Sequence, residues 1–252
     1  MSNNKKYEDW ISESLYPDGG CRYYPECCDS ATGENRLRFY RARIGSRYDD
    51  EPIKVLTVGQ EDVGSNNEYT CHEPCTMKEA GYNPHYLRTF YTVAHILLDE
   101  NEWPKDYTQD VRQPRFDELR HRFAMTNYYK CVFSNSDKRT GVCHSKPMKQ
   151  HCGEHLISEI SLLKPDIVIM QGKDHPYFWE SIPYSGICHS KISIDHKAYD
   201  LGLYETSGLI NKPVYIIDSY HPTSHGIWVQ TAVLTYFKQL LAKAKWKVLH
   251  TQ

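Results

Sequence analysis

Ile53-Lys54-Val55-Leu56-Thr57-Val58-Gly59 decides how the rest of this chain is read. The run is short, apolar and rich in β-branched residues, and Pro52 and Gly59 bound it, so it predicts a buried strand. Three more segments have the same character: Phe123-Ala124-Met125-Thr126-Asn127, Asp166-Ile167-Val168-Ile169-Met170 leading into Gln171-Gly172, and Val214-Tyr215-Ile216-Ile217-Asp218. Helical spacing fills the intervals. Leu87, Phe90, Tyr91, Ala94, Leu97 and Leu98 follow Pro84, which suits a first helical turn. Met148, Cys152, Leu156, Ile160 and Leu163 mark a helix from Pro147 to Lys164, ended by Pro165, and Val229, Val233, Phe237 and Leu240 form a last stripe. Helices alternating with wholly apolar strands predict an α/β fold, a three-layer α/β/α sandwich around a mainly parallel four-stranded central sheet.

With 252 residues, 40% hydrophobic and 25% charged, the chain can bury one large core. Residues 51–252 are expected to form the α/β domain. Residues 1–50 lack a clean period and read as a cysteine- and arginine-bearing extension packed on it. No run of 18 apolar residues occurs, and Met1-Ser2-Asn3-Asn4-Lys5-Lys6 leads into polar sequence rather than an apolar signal segment. The expectation is a cytoplasmic monomer with no membrane partner. Nine cysteines in such a chain need a role other than disulfides, as buried thiols or metal ligands.

A net charge of −2 supplies no overall attraction to phosphate, so local distribution matters more. Arg36, Arg38, Arg41, Arg43 and Arg47 interleave with Phe39, Tyr40 and Tyr48. Such a patch can pair with phosphates while its aromatics stack, and it is equally the pattern of a solvated basic face.

In a parallel α/β sheet, side chains just past the carboxyl ends of the strands line one crevice. The first strand runs into Gln60-Glu61-Asp62-Val63-Gly64, the second ends on Asn127, and the fourth runs into Ser219-Tyr220-His221-Pro222-Thr223-Ser224-His225-Gly226. That brings an acid, an amide and an imidazole to one place. Taken in this order, the segments resemble the water-activating, base-reading and histidine motifs of the uracil-DNA glycosylase superfamily. The resemblance is one of motifs and their order, over roughly residues 53–228, and not a full-length match.

The resemblance implies a monofunctional DNA glycosylase. It would flip a pyrimidine out of duplex or single-stranded DNA, hydrolyse the N-glycosidic bond and leave an abasic site. Cleavage produces an oxocarbenium-like sugar and an anionic base, so the site needs a carboxylate at the sugar and donors at the base. By position Glu61 is the water-activating carboxylate and Asp62 its rival, while Gln60 and Asn127 meet the base and His221 donates to its carbonyl. An asparagine can give and accept bonds on a pyrimidine edge at once. Tyr86, Tyr82 and His85 stand where the family places a ring over the base. His225 and Trp228 fall in the loop that enters the minor groove, where side chains wedge between bases; the best-known members carry leucine there. Plain structural readings stand beside these: a solvated loop acid, a strand-end asparagine, a tyrosine packed at a helix start.

The iron–sulfur branch is nearest, because a lysine–cysteine pair follows its base-reading segment as Lys130-Cys131 do here. That branch implies a 4Fe-4S cluster on Cys21, Cys28, Cys131 and Cys152, with Cys27 as the substitute for Cys28. The chain departs from the family in the spacing of Cys21 from Cys27-Cys28 and in the long interval from Cys131 to Cys152. Zinc held with Cys71, Cys75 or nearby histidines is the competing metal reading. The best-known uracil enzymes follow the catalytic carboxylate with proline and a tyrosine that blocks the pyrimidine C5 position. Here Asp62, Val63 and Gly64 follow, so the substrate is expected to be uracil or a bulky C5-modified cytosine. Glucosylated hydroxymethylcytosine of phage DNA is an example, and would imply anti-phage defence. Tyr69 or Tyr86 closing the C5 side would leave uracil. Two other classes are a non-catalytic nucleic-acid or nucleotide-binding protein, and a metal-dependent hydrolase using the His and Cys clusters.

Overall fold

The computed structural model describes residues 3–15, 21–27, 38–59, 73–76, 78–107, 109–132, 146–172, 175–194, 197–220 and 231–251. Helices α1 (Asn3–Ser14) and α2 (Tyr24–Cys27) precede two short strands, β1 (Arg38–Phe39) and β2 (Arg43–Ile44). Strand β3 (Val55–Gly59) leads to α3 (Pro84–Leu97), and β4 (Ala124–Asn127) and β5 (Cys131–Val132) to α4 (Lys146–Leu163). Then come β6 (Ile167–Gln171), α5 (Pro176–Ser181), the antiparallel pair β7 (Ser185–Ile194) and β8 (Lys197–Thr206), β9 (Val214–Ser219) and α6 (Thr231–Thr251).

The α/β class holds, but the four-stranded sheet is corrected to a seven-stranded mixed one in the order β2-β4-β3-β6-β9-β8-β7. Its centre is made of the four strands expected from sequence, β4, β3, β6 and β9, all parallel. Antiparallel strands extend both sides: β2 beside β4, and β8 beside β9 with β7 outermost. In β8 every second residue, Tyr199, Leu201 and Leu203, enters the core. This is the period-two signature of a half-buried strand.

Alternation along the central strands splits the core in two. Val55, Met125, Ile169 and Ile217 pack toward α3 and α6, while Leu56, Ala124, Val168 and Ile216 pack toward α1 and α4. The extension is part of this core: α1 buries Tyr7 and Ile11 in the α4 layer, and β2 completes a sheet edge. The link β3–α3–β4 runs over one face and β4–α4–β6 over the other. The chain therefore winds outward in opposite directions from β3 and β6. Such a switch point opens a crevice at the carboxyl ends of the two strands. No described helix is long and apolar enough to cross a membrane.

Candidate active site

The central strands end at one level. Gly59 is paired with Asn127, and Gln171 with Ser219. By alternation all four stand on the face that carries α3. Asn127 and Gln171 are both buried. A Cβ built on Gly59 would lie 2.4 Å from Asn127 Oδ1 and 3.2 Å from His85 Cε1. The missing side chain at Gly59 is thus what lets an amide and an imidazole share the space over the end of β3.

His85 is delivered there by the first turn of α3. Asn83 caps the helix, its side chain accepting from His85 N at 2.9 Å, and Pro84 occupies the first helical position. The positive end of the helix dipole therefore lies at the strand tips, where it favours negative charge. One turn on, Thr89 Oγ1 lies 2.8 Å from His85 O and 3.2 Å from Gln171 Oε1. Sequence reading took Gln171 only as the end of a strand. Its signal was parity with Ile167 and Ile169, which face the same helix.

Of the three ring candidates, His85 is at the strand tips. Tyr86 packs on Phe90 with ring centroids 6.4 Å apart, and its hydroxyl accepts from Arg43 Nη1 at 2.6 Å. Burial pushes the Tyr86 phenol pKa well up. Tyr82 is exposed in a left-handed conformation (φ 53°), with the Arg112 guanidinium 5.4 Å from its ring centroid.

The expected phosphate role is corrected for Arg43. It is only 2% exposed, on a strand paired with β4, and donates to Tyr86 and to Cys75 Sγ at 3.0 Å. A cation sealed under a tyrosine cannot meet a DNA phosphate, so it serves to fix the Tyr86 ring. The same guanidinium disfavours a metal cation at Cys75. Arg41 remains exposed, 3.5 Å from Glu8. Arg38 lies in β1, its side chain outside the described residues.

Behind Asn127, Lys130 is fully buried and ion-paired with Glu159. Glu159 also accepts from Tyr7 and Thr126 hydroxyls, each at 3.0 Å. Burial lowers the Lys130 pKa, and the Glu159 carboxylate opposes that shift. The network ties the turn after β4 to α1 and α4.

The elements bearing the expected metal ligands converge beside it. Cys21, Cys27 and Cys152 are buried in one apolar cluster. Cys21 Sγ is 3.6 Å from His155 Nε2, one turn from Cys152 on α4, and Cys152 Sγ accepts from Lys130 N at 3.4 Å. Cys131 follows Lys130 in β5, its side chain outside the described residues, and Cys28 and Cys71 lie outside them entirely. Among the described residues no three potential ligands group together. Soft, buried thiols, two from the segment 21–27 and one from α4, nonetheless have the donor chemistry of a thiolate-held iron or zinc centre.

Gln60, Glu61, Asp62, His221, His225, Trp228, Arg36 and Tyr69 also lie outside the described residues. In sequence, Gln60 follows the last residue of β3, and His221 comes two residues after the last of β9. No protein-family model and no curated protein matches this chain.

Proposed function

We propose that this protein is a monofunctional DNA glycosylase of the uracil-DNA glycosylase type, built as an α/β/α sandwich around the parallel strands β4-β3-β6-β9. The observation that carries the reading is the convergence of Asn127 and His85 over side-chain-free Gly59, at the switch point of a parallel sheet. Two motif segments, beginning at Gln60 and at Tyr220, continue from ends of that same core. The ends of β3 and β9 are two strand spacings apart, about 10 Å. A flipped nucleotide fits across such a span with an acid on one side and an imidazole on the other.

In the reaction, the DNA wraps the extruded pyrimidine into the crevice, where Asn127 reads its edge and His85 covers it. The C1′–N1 bond breaks and its electron pair leaves with the base. His221 and the amino end of α3 stabilise the resulting anion. Glu61 holds the water whose oxygen adds to C1′ and takes up the proton that water loses, and the base leaves once protonated. Cys21, Cys28, Cys131 and Cys152 would hold a 4Fe-4S cluster, with zinc as the alternative metal, and the group would pin the segment after β4 without entering the hydrolysis. Arg36, Arg38 and Arg41 remain for the DNA backbone, and His225 and Trp228 for the groove.

The test incubates the protein with matched duplexes carrying uracil, thymine, hydroxymethylcytosine and glucosylated hydroxymethylcytosine, then scores abasic sites. Glu61→Gln, Asn127→Ala and His221→Ala should each depress base release far more than DNA binding. Variants that all release base like wild type would transfer the reading to a binding protein with a glycosylase-like pocket. Uracil as the sole substrate would exclude the modified-base, phage-defence reading.

A further inference from the structure

Tyr82 stands three residues ahead of His85 and takes no part in the reaction above, yet it is 39% exposed. The other exposed large apolar side chains among the described residues, Tyr184, Trp246 and Leu249, belong to the far end of the sheet. There Ser185 follows Tyr184 and lies in register with Glu205, which in turn pairs with Tyr215 near the start of β9. The Tyr215 hydroxyl donates to Thr251 Oγ1, at the end of α6, at 3.2 Å. Of the four, Tyr82 alone sits at the carboxyl ends of the strands, where the first turn of α3 begins.

The backbone is bent to display this ring. Gly81 and Tyr82 both have positive φ, 62° and 53°. Glycine takes that conformation freely and asparagine tolerates it, whereas a bulky ring there is uncommon and strained. The turn is fixed on both sides: Gly81 N donates to Lys78 O at 3.0 Å, Asn83 N donates to Ala80 O at 3.2 Å, and Asn83 caps α3. Space is open next to it, since a Cβ built on Gly81 meets nothing within 4 Å beyond its chain neighbours among the described residues. The Arg112 guanidinium lies 5.4 Å from the Tyr82 ring centroid. Arg112 ends the 3-10 turn Asp110–Arg112 and is exposed, while Val111 beside it is buried in the α3 layer and anchors the turn. An exposed ring with a guanidinium over it is a surface that stacks a nucleobase and meets the adjoining phosphate.

We propose that Tyr82, together with Arg112, stacks on the nucleobase next to the extruded one, outside the crevice and not over the reacting base. The inference rests on the glycosylase reading and adds a contact with the same strand. The reach fits. Three residues span at most about 10 Å, and stacked nucleotides follow one another at about 3.4 Å along a strand. A base one or two steps from the one under His85 is therefore within range of Tyr82. Extruding a nucleotide takes a stacking partner from its neighbour, and the Tyr82 ring replaces that partner. Arg112 neutralises the phosphate beside the neighbour.

The experiment pairs deletion of the side chain with deletion of the base. Duplexes carry the best wild-type substrate base, with its 5′ or 3′ neighbour either intact or replaced by a tetrahydrofuran abasic residue, which has no ring to stack on. Single-turnover base release by subsaturating full-length protein is followed at several salt concentrations. Tyr82→Gly keeps the left-handed turn and removes only the ring, and Tyr82→Asn does the same with a residue that tolerates positive φ. Each should slow release from the intact duplex at least about 10-fold, while Tyr82→Trp should keep it. Wild type should slow to a similar degree when one neighbour is abasic. The Gly and Asn variants should slow no further on that duplex, because the contact is already gone. Arg112→Gln should lower the salt slope by about one. A purely structural role would make the two deletions multiply at both neighbours. Such multiplication, release by Tyr82→Gly within about threefold of wild type, or an unchanged salt slope in Arg112→Gln overturns the inference and leaves the glycosylase reading standing. Release from none of the duplexes by wild type overturns both.

Discussion

Gly59→Ala adds a single methyl group at the centre of the crevice. The new Cβ would lie 2.4 Å from Asn127 Oδ1, about 1 Å inside ordinary van der Waals contact. The backbone cannot yield easily. Gly59 is locked opposite Asn127 in the parallel register, and its carbonyl accepts from Tyr128 N at 2.8 Å. The Asn127 amide must therefore retreat by about 1 Å, and a displacement of that size at a reacting centre costs about 100-fold in rate. That corresponds to about 2.7 kcal/mol of transition-state stabilisation. The stability cost of the overpacked methyl is about 1–3 kcal/mol, or a fall of several degrees in Tm. The assay is single-turnover base release on the best wild-type substrate, beside a thermal melt. The double variant with Asn127→Ala separates the clash from general damage. Once the amide is gone the methyl has nothing to displace, so the pair should be no slower than Asn127→Ala alone. Base release by Gly59→Ala within about threefold of wild type, or full additivity in the double variant, would refute the placement of Asn127 as the base-reading group.

Lys130→Met leaves Glu159 buried without its cation and should cost about 3–5 kcal/mol, roughly 6–20 °C in Tm, while Lys130→Met combined with Glu159→Leu recovers much of the loss; a single variant melting with wild type would show that the ion pair does not support the turn after β4. His95 is buried with both ring nitrogens lacking hydrogen-bond partners among the described residues, and burial, with Lys238 and Lys245 nearby, lowers its pKa to about 3. The unfolded chain takes up that proton near pH 6.5 and the fold does not, so stability falls as pH drops from about 6.5 toward 3, by up to about 1.4 kcal/mol per unit. Urea unfolding at several pH values should show a shallower acid slope for His95→Leu, and parallel slopes would sink the assignment. Protein purified without air should carry stoichiometric iron and sulfide with broad visible absorbance, or stoichiometric zinc, and lose it in Cys152→Ala. A colourless, metal-free and fully active preparation would end the metal reading.

Much of the fold was legible because its signals are local. The apolar runs at Val55–Gly59, Ala124–Asn127, Ile167–Gln171 and Val214–Ser219 are strands, and the Pro84 and Lys146 helices begin within a residue of their sequence signals. The outer strands were missed for two different reasons. Strand β2 is two residues long and is held by its partner β4, so it has no period of its own to read. The β7–β8 pair does carry alternation, at Tyr199, Leu201 and Leu203, but mixed with polar residues that suit a sheet edge.

For the site, the sequence by itself determined the inventory and its order: which strands end on polar residues, that Asn127 closes one of them, and that segments with Glu61 and His221 continue from two others. These follow from side-chain chemistry and short-range periodicity, which neighbouring residues set among themselves. Only the tertiary structure decided which residues meet. Arginines at 41 and 43 look alike in sequence, yet one is solvated beside Glu8 and the other is sealed against Tyr86, because β2 begins at Arg43 and docks it on β4 while Arg41 lies before the strand. His85 rather than Tyr86 reaches Gly59, and Gln171 meets Thr89 over 82 residues of chain. Such pairings depend on sheet order and on the face each helix crosses, quantities that belong to the packed whole and that no local window contains.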